Sequence, residues 1–112
     1  MKKVINGKLY NTATAEEIMD MSNGKLPEDF NHYTATMYRT KKNNLFVYEE
    51  GGAYSKMGIS LEGNASGGSH DLKAISETEA VELIQEWHLD GYISVSECQT
   101  ALTELGIKLE EA

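Results

Sequence analysis

Two runs of strand-forming residues, separated by a short polar turn, constrain this chain more than any other feature. Residues 33–40 read Tyr-Thr-Ala-Thr-Met-Tyr-Arg-Thr, and residues 45–50 read Leu-Phe-Val-Tyr-Glu-Glu. Tyr, Thr, Val and Phe favour strands, and the Lys-Lys-Asn-Asn segment between the runs is typical of a turn. The sequence therefore predicts a β-hairpin at this point.

Two pairing registers are open for this hairpin. If Lys41 faces Asn44, then Tyr38 lies opposite Val47; a shift of one residue places Tyr38 opposite Phe46 instead. In either register the middle of the hairpin is buried, and each cross-strand pair contributes about 0.2 to 1 kcal/mol. Because a hairpin alone is only marginally stable in water, other segments must cover at least one of its faces.

The segments before the hairpin predict a second hairpin and a helix. Asn6-Gly7 is a strong turn signal and predicts a small hairpin with strands near 2–5 and 8–11. The pattern from Thr14 to Glu17 fits a capping box, in which a hydroxyl and a carboxylate satisfy backbone amides at a helix start. We therefore expect a short helix over about 15–22.

The segments after the hairpin begin with two glycines, Gly51 and Gly52, which allow the backbone to approach another surface closely. The sequence then predicts a short strand over 53–59 and a glycine-rich loop over 62–69. Residues 70–75 alternate enough between polar and apolar types to be a last strand.

The C-terminal part of the chain contains two further capping boxes. Ser76 to Glu79 opens a helix with apolar residues at helical spacing, and Ser94 to Glu97 opens a second one, which ends near Gly106.

Adjacent strands joined by tight turns indicate an antiparallel sheet with helices on one face. We therefore expect an α+β fold with a small antiparallel sheet of four to five strands and about three helices, the last two forming a helix-turn-helix corner. A chain of 112 residues is expected to be a single domain, residues 1–112.

Four segments carry a resemblance that extends over about residues 4–87, namely residues 8–15, 37–42, 46–56 and 63–68. In this order they resemble a family of small proteins encoded by phages, plasmids and integrative elements of Gram-positive bacteria. Some small proteins of such elements are anti-CRISPR inhibitors, so the resemblance implies an anti-defence function. It carries no catalytic motif.

The net charge of −8 is unevenly distributed. Residues 1–45 hold seven Lys or Arg and five Asp or Glu, whereas residues 46–112 hold three Lys and thirteen Asp or Glu. An acidic field repels nucleic acid and steers a protein towards basic surfaces, including nucleic-acid-binding clefts, although many acidic proteins owe their charge to solubility alone.

The expected compartment is the cytoplasm of a bacterial host. The single residue Cys98 excludes an internal disulfide, and the opening residues contain no apolar run of the length of a signal peptide or a membrane span. We expect no membrane partner and no direct contact with nucleic acid.

Residues 86–97 can be aligned with the twelve-residue EF-hand loop, and the run from Asp90 to Glu97 resembles the second half of that motif. Asp90, Ser94 and Glu97 fall at its fifth, ninth and twelfth positions and are the candidate Ca²⁺ ligands. His88 takes the third position, where a carboxylate is usual. The alternative interpretation is a turn between two helices that binds no metal.

No pattern in the sequence indicates an enzyme. The three histidines, His32, His70 and His88, lack the spacing of a metal site. Cys98 occupies an apolar helix position beside nothing that lowers the pKa of a thiol. We expect neither a catalytic residue nor a cofactor.

Two surfaces are candidates for binding a protein partner. The first is the acidic face of the predicted Ser76 helix, and the second is the main hairpin, where tyrosine alternates with charge. The first set comprises Glu79, Glu82 and Glu86, and the second comprises Arg39, Lys42, Tyr48, Glu49 and Glu50.

The sequence leads to two hypotheses about function. The first is a non-enzymatic anti-CRISPR protein that binds a Cas nuclease or its guide complex, with an acidic surface that competes with nucleic acid. The second is a degenerate EF-hand-like adaptor of a mobile element. Neither hypothesis specifies the oligomeric state.

Overall fold

The computed structural model describes residues 1–60 and 66–112. Its elements in chain order are β1 (Lys2–Ile5), β2 (Lys8–Asn11), β3 (Glu16–Ser22), β4 (Tyr33–Arg39), β5 (Leu45–Gly51), β6 (Ile59–Ser60), β7 (Ser66–Gly67), β8 (Ser69–Ile75), α1 (Glu77–Leu89) and α2 (Val95–Glu104). The α+β class is therefore confirmed.

A four-stranded antiparallel sheet in the order β3-β4-β5-β8 forms the centre of the fold. The predicted main hairpin is β4 and β5, in the second of the two expected registers, with Tyr38 opposite Phe46. The turn explains this choice. The Thr40 amide donates to the Asn44 carbonyl at 2.8 Å, and Asn43 adopts a left-handed φ of 65°. A three-residue loop of this kind is a common hairpin connection.

The sheet has an apolar core on each side. On one side the strands pack against both helices through a larger cluster that includes Met37, Val47 and Trp87. On the other side a smaller cluster is formed by Tyr10, Phe46 and Leu72, all buried. Alternation of side chains along β5 assigns its residues to the two clusters in turn.

The small hairpin predicted at Asn6-Gly7 is β1 and β2, and it covers the second side of the sheet. Asn6 and Gly7 have φ values of 51° and 74°. A two-residue type I′ turn requires positive φ at both of its central residues. The Tyr10 ring meets the Phe46 ring edge to face, with centroids 5.4 Å apart. Lys3 also forms an ion pair with Asp71 of β8 at 2.7 Å.

The helix predicted over 15–22 is wrong, because the residues Glu16–Ser22 form the edge strand β3. A bulge between Glu17 and Met19 shifts the pairing with β4. Because a bulge adds a residue to one strand, Ile18 and Met19 are both buried although they are neighbours. The resulting spacing of apolar residues also fits a helix. Pairing with β4 nevertheless makes this segment a strand.

Both C-terminal capping boxes are present. The Ser76 side chain accepts from the Glu79 amide and Ser94 accepts from the Glu97 amide, at 3.1 Å in each case. The expectation of three helices is wrong, since the described residues contain two.

The predicted helix-turn-helix corner does not match either. Both helices lie on the sheet and bury residues, including Ile84 of α1 and Leu102 of α2, in the same core cluster. Ile93, in the connection between them, is buried there as well. This burial holds the connection against the core.

The strand expected over 53–59 is wrong for most of its length, since residues 53–57 form turns. Only Ile59–Ser60 pairs, with Ser66–Gly67. Gly52 makes the expected close approach, because a Cβ at this position would lie 2.6 Å from the Phe30 carbonyl oxygen. Residues 62–65 of the predicted loop lie outside the described residues.

Among the described residues, no helix has the length and the apolar character needed to cross a membrane.

Replacing Phe46 with Ala tests the importance of the smaller cluster. Phe46 is 0% exposed, so we expect the free energy of unfolding to fall by about 3 to 5 kcal/mol. Leu89→Ala is the control, since Leu89 is 83% exposed and such changes usually alter stability by less than about 0.5 kcal/mol. Urea denaturation measures both. Equal losses for the two variants would contradict the assignment of Phe46 to a core.

Candidate functional site

Three of the candidate residues lie on the outer side of α1. Glu79, Glu82 and Glu86 are exposed, and their spacing of three and four residues aligns them along one helix face. We call these three residues the acidic face. Within the described part of the chain, no Lys or Arg nitrogen lies within 4.0 Å of their carboxylates. Among these residues, no direct ion pair therefore neutralises the negative charge of the acidic face.

Glu79 also closes the helix cap. The Ser76 amide donates to Glu79 Oε1 at 3.0 Å. Hydrogen bonds from Ser76 lower the pKa of Glu79, which keeps this carboxylate ionised. Because the cap fixes the first turn, the acidic face begins at a rigid point.

The candidate residues of the main hairpin are called the hairpin set, and one of them, Arg39, forms hydrogen bonds with other residues of the same chain. Its Nη1 donates to the Glu104 carbonyl oxygen at 2.6 Å, and its Nη2 donates to Glu16 Oε2 at 3.1 Å. The guanidinium thus joins β4 to β3 and to the end of α2. Lys42, in the turn, is exposed.

Tyr48 and Glu50 lie on the same side of the sheet, because they are two residues apart on β5. The Tyr48 ring is half-buried and packs against the cluster of Tyr10, Phe46 and Leu72. Its hydroxyl lies 3.5 Å from Glu50 Oε2, at the limit of a hydrogen bond. Burial, followed by the charge of Glu50, raises the pKa of Tyr48.

Glu49 points to the other side of β5 and is only 5% exposed. The Tyr33 hydroxyl donates to Glu49 Oε2, which also lies 3.0 Å from Lys56 Nζ. The other oxygen, Oε1, lies 3.0 Å from Lys73 Nζ. Lys56 is also 4.6 Å from the centre of the Tyr33 ring, in the geometry of a cation–π contact. We call these four residues the Glu49 cluster.

The cluster keeps Glu49 ionised. Burial alone raises the pKa of a carboxylate, but the Tyr33 hydrogen bond and the two lysines outweigh this effect and lower the pKa of Glu49. Burial and Glu49 itself raise the pKa of Tyr33, which therefore stays protonated as a donor. Both Glu49 oxygens are thus occupied within the protein.

The sequence interpretation missed Tyr33, Lys56 and Lys73 as partners of Glu49. One signal was available, since alternation along β5 places Glu49 on the same face as the buried residues Leu45 and Val47. A carboxylate at such a position needs cationic partners. The identity of those partners depends on pairing with β8 and on the path of the irregular segment 53–58.

The EF-hand candidates all take part in the connection between the helices. Asp90 is the C-cap of α1, Ser94 is the N-cap of α2, and Glu97 accepts a hydrogen bond from the Ser94 amide at 2.9 Å. Residues 86–89 align with the first four positions of the EF-hand loop, but they are helical and belong to α1. The Glu97 carboxylate is thus engaged in the cap of α2. Together with the helical conformation of residues 86–89, this contact favours the interpretation of a turn between helices that binds no metal.

Other titratable groups in the described residues do not assemble into a site. No group of three or more His, Cys, Asp or Glu side chains there has the geometry to hold a metal ion. Cys98 is buried, and burial raises the pKa of its thiol.

No family model, no curated protein and no solved structure matches this chain. The resemblance to small proteins of mobile elements, described above, therefore stays a prediction.

Replacing Glu49 with Gln tests the cluster through pH. A lowered folded-state pKa means that ionised Glu49 stabilises the protein above the unfolded pKa of about 4.3, and that this contribution is lost as pH falls through the folded pKa. We expect the variant to lose about 1.5 to 3 kcal/mol at pH 7, since both lysines are half-exposed and screened by solvent. The difference from the unmodified protein should shrink below pH 4.

The matched control is Glu50→Gln, which removes the same charge at the exposed neighbouring residue. Thermal unfolding of all three proteins at pH 7 and pH 3 gives the comparison. A Glu49→Gln deficit that is the same at both pH values would rule out the ionised cluster as its source.

Proposed function

We propose that this protein is a non-enzymatic anti-defence protein of a phage or mobile element, which binds and inhibits a CRISPR-Cas nuclease. In this proposal the acidic face of α1 occupies a cleft of the nuclease that otherwise binds guide or target nucleic acid. The observation that carries the proposal is the row of exposed carboxylates on one helix face that form no direct ion pair with a Lys or Arg of the described residues.

The arrangement of charge supports competition with nucleic acid. At a rise of 1.5 Å per residue, Glu79 and Glu82 are separated by about 4.5 Å along the helix axis, and Glu82 and Glu86 by about 6 Å. A linear series of negative charges resembles a phosphate backbone, and clefts that bind nucleic acid neutralise phosphates with Lys and Arg. The same clefts attract the acidic face.

The hairpin set supports a binding role less well. Glu49 is buried and both of its oxygens are occupied, and Arg39 is held by Glu16 and Glu104. Tyr48 packs on the smaller core cluster, so its ring contributes to the fold itself. The acidic face requires no rearrangement before it contacts a partner, since its helix is anchored on the sheet.

An interference assay tests the proposed activity. Survival of a phage or plasmid is scored in cells that carry different CRISPR systems, with and without the protein. We expect survival to rise with expression for at least one system. If no system is inhibited at any expression level, the anti-CRISPR proposal is wrong.

For the inhibited system, a triple Glu-to-Gln variant of the acidic face tests the mechanism. Gln at position 79 can keep the capping box, so the helix should remain folded. We expect slower association with the nuclease at low salt and a weaker dependence of binding on salt, because steering scales with charge. Surface plasmon resonance at several salt concentrations measures both.

The matched control changes three exposed glutamates elsewhere, Glu17, Glu28 and Glu110, to Gln. Both variants carry the same net charge, so a difference between them reports position and not total charge. An unaltered association rate for the acidic-face variant, or the same loss for both variants, would contradict competition through α1.

A further inference from the structure

A cleft of about 470 Å³ separates the turn of the β1–β2 hairpin from the turn of the β4–β5 hairpin. We call it the lysine cleft, because Lys8 lines one wall and Lys41 and Lys42 line the other. All three lysines are exposed. Among the described residues, the lining contains no Asp or Glu. In a protein with a net charge of −8, this is an unusual local concentration of positive charge.

Within the described residues, the lysines of the lysine cleft form no ion pairs. None of Lys8, Lys41 and Lys42 lies within 4.0 Å of a carboxylate in the part of the chain that the structure describes. Lys3, Lys56 and Lys73, by contrast, each pair with an acidic residue. A ligand therefore does not have to displace a carboxylate of the described residues to reach these lysines.

Neutral polar groups line the same cleft and are held in place by the two turns. Asn44 Oδ1 lies 3.4 Å from Lys8 Nζ, so the two walls meet at this point. The Thr40 hydroxyl accepts from the backbone N–H of Asn44 at 3.0 Å, and Asn11 Oδ1 accepts from the backbone N–H of Ala13 at 3.0 Å. Among the described residues, the side-chain N–H groups of Asn11 have no hydrogen-bond acceptor, so they can donate to a ligand. Because the backbone is fixed by these bonds, the cleft is formed in advance of binding.

An apolar edge accompanies these polar groups. Leu9, which borders the cleft, is 60% exposed, and the buried Tyr10 forms part of the lining. Lysines with neutral donors beside an apolar edge match a ligand that carries phosphate together with a sugar or a base. Lysine binds phosphate as a point charge, whereas arginine binds it through a planar guanidinium that must be correctly oriented.

We propose that the lysine cleft binds the phosphate groups of a nucleotide or of a single-stranded nucleic acid. Lys8, Lys41 and Lys42 contact phosphate oxygens, and Asn11 and Asn44 contribute hydrogen bonds. The proposal does not depend on the acidic face or on inhibition of a nuclease. The proposal differs from the expectation, drawn from the sequence, that the protein makes no direct contact with nucleic acid. That expectation used the net charge of the whole chain, which does not report a local group of positive charges.

Binding to the isolated, full-length protein tests the proposal. An ¹⁵N-labelled sample at low ionic strength is titrated with inorganic phosphate, a mononucleotide triphosphate and a single-stranded oligonucleotide. We expect amide shifts at residues 7–11 and 40–44. A mononucleotide that binds as tightly as the oligonucleotide identifies a nucleotide site, and binding of the oligonucleotide alone identifies a nucleic-acid site.

Salt and charge variants supply the control. For the oligonucleotide, three phosphate contacts predict a slope of log K against log salt of about −2. Changing Lys8, Lys41 and Lys42 to Gln should weaken binding at least about tenfold and remove most of this slope. The matched control changes three other exposed lysines, Lys2, Lys25 and Lys108, to Gln and carries the same net charge.

We expect the control variant to bind within about twofold of the unmodified protein. Thermal melting of both variants checks that each one is folded. Equal weakening in both variants would overturn the proposal, as would shifts that map away from the cleft or no binding of any probe at millimolar concentration and low salt.

Discussion

The register of β4 against β5 determines what lies on each side of the sheet. It is set by the turn, where the Thr40 amide bonds to the Asn44 carbonyl and Asn43 is left-handed. The Tyr38 and Phe46 rings then stack across the strands, with centroids 5.0 Å apart. A slip of one residue would exchange the faces of every β5 side chain. Phe46 would turn towards the helices, and Glu49 would turn away from its lysines.

This register creates a sheet with two apolar faces, and each face has its own cover. The helices cover the side of Met37 and Val47, and the β1–β2 hairpin covers the side of Phe46. It also places a carboxylate, Glu49, on the helix side. An unpaired buried charge costs several kcal/mol, so its ion pairs to Lys56 and Lys73 are a condition of this arrangement. The pair with Lys56 in turn ties an irregular segment to the sheet.

Patterns that depend on neighbouring residues were predictable from the sequence. Asn6-Gly7 indicated its hairpin, and Ser76 and Ser94 indicated the helix starts, because turns and caps are formed within a few residues. The Thr14 to Glu17 pattern failed for the opposite reason. A local signal for a helix competed with pairing of β3 to β4, and the bulge concealed the strand alternation by burying two neighbouring residues. Only the tertiary partner resolves such a case.

The candidate surfaces were harder to predict than the fold, because the availability of a charge is a tertiary property. The sequence groups Arg39 with Lys42, since both lie near one hairpin tip. The folded chain separates them: Arg39 bonds to Glu16 and Glu104, whereas Lys42 lines the lysine cleft and forms no ion pair with a described residue. A cationic side chain that is paired with carboxylates of the same chain joins secondary-structure elements together. A cationic side chain without such an ion pair can bind a ligand. The surfaces most suited to recognition are therefore those where the fold leaves charge of one sign unpaired.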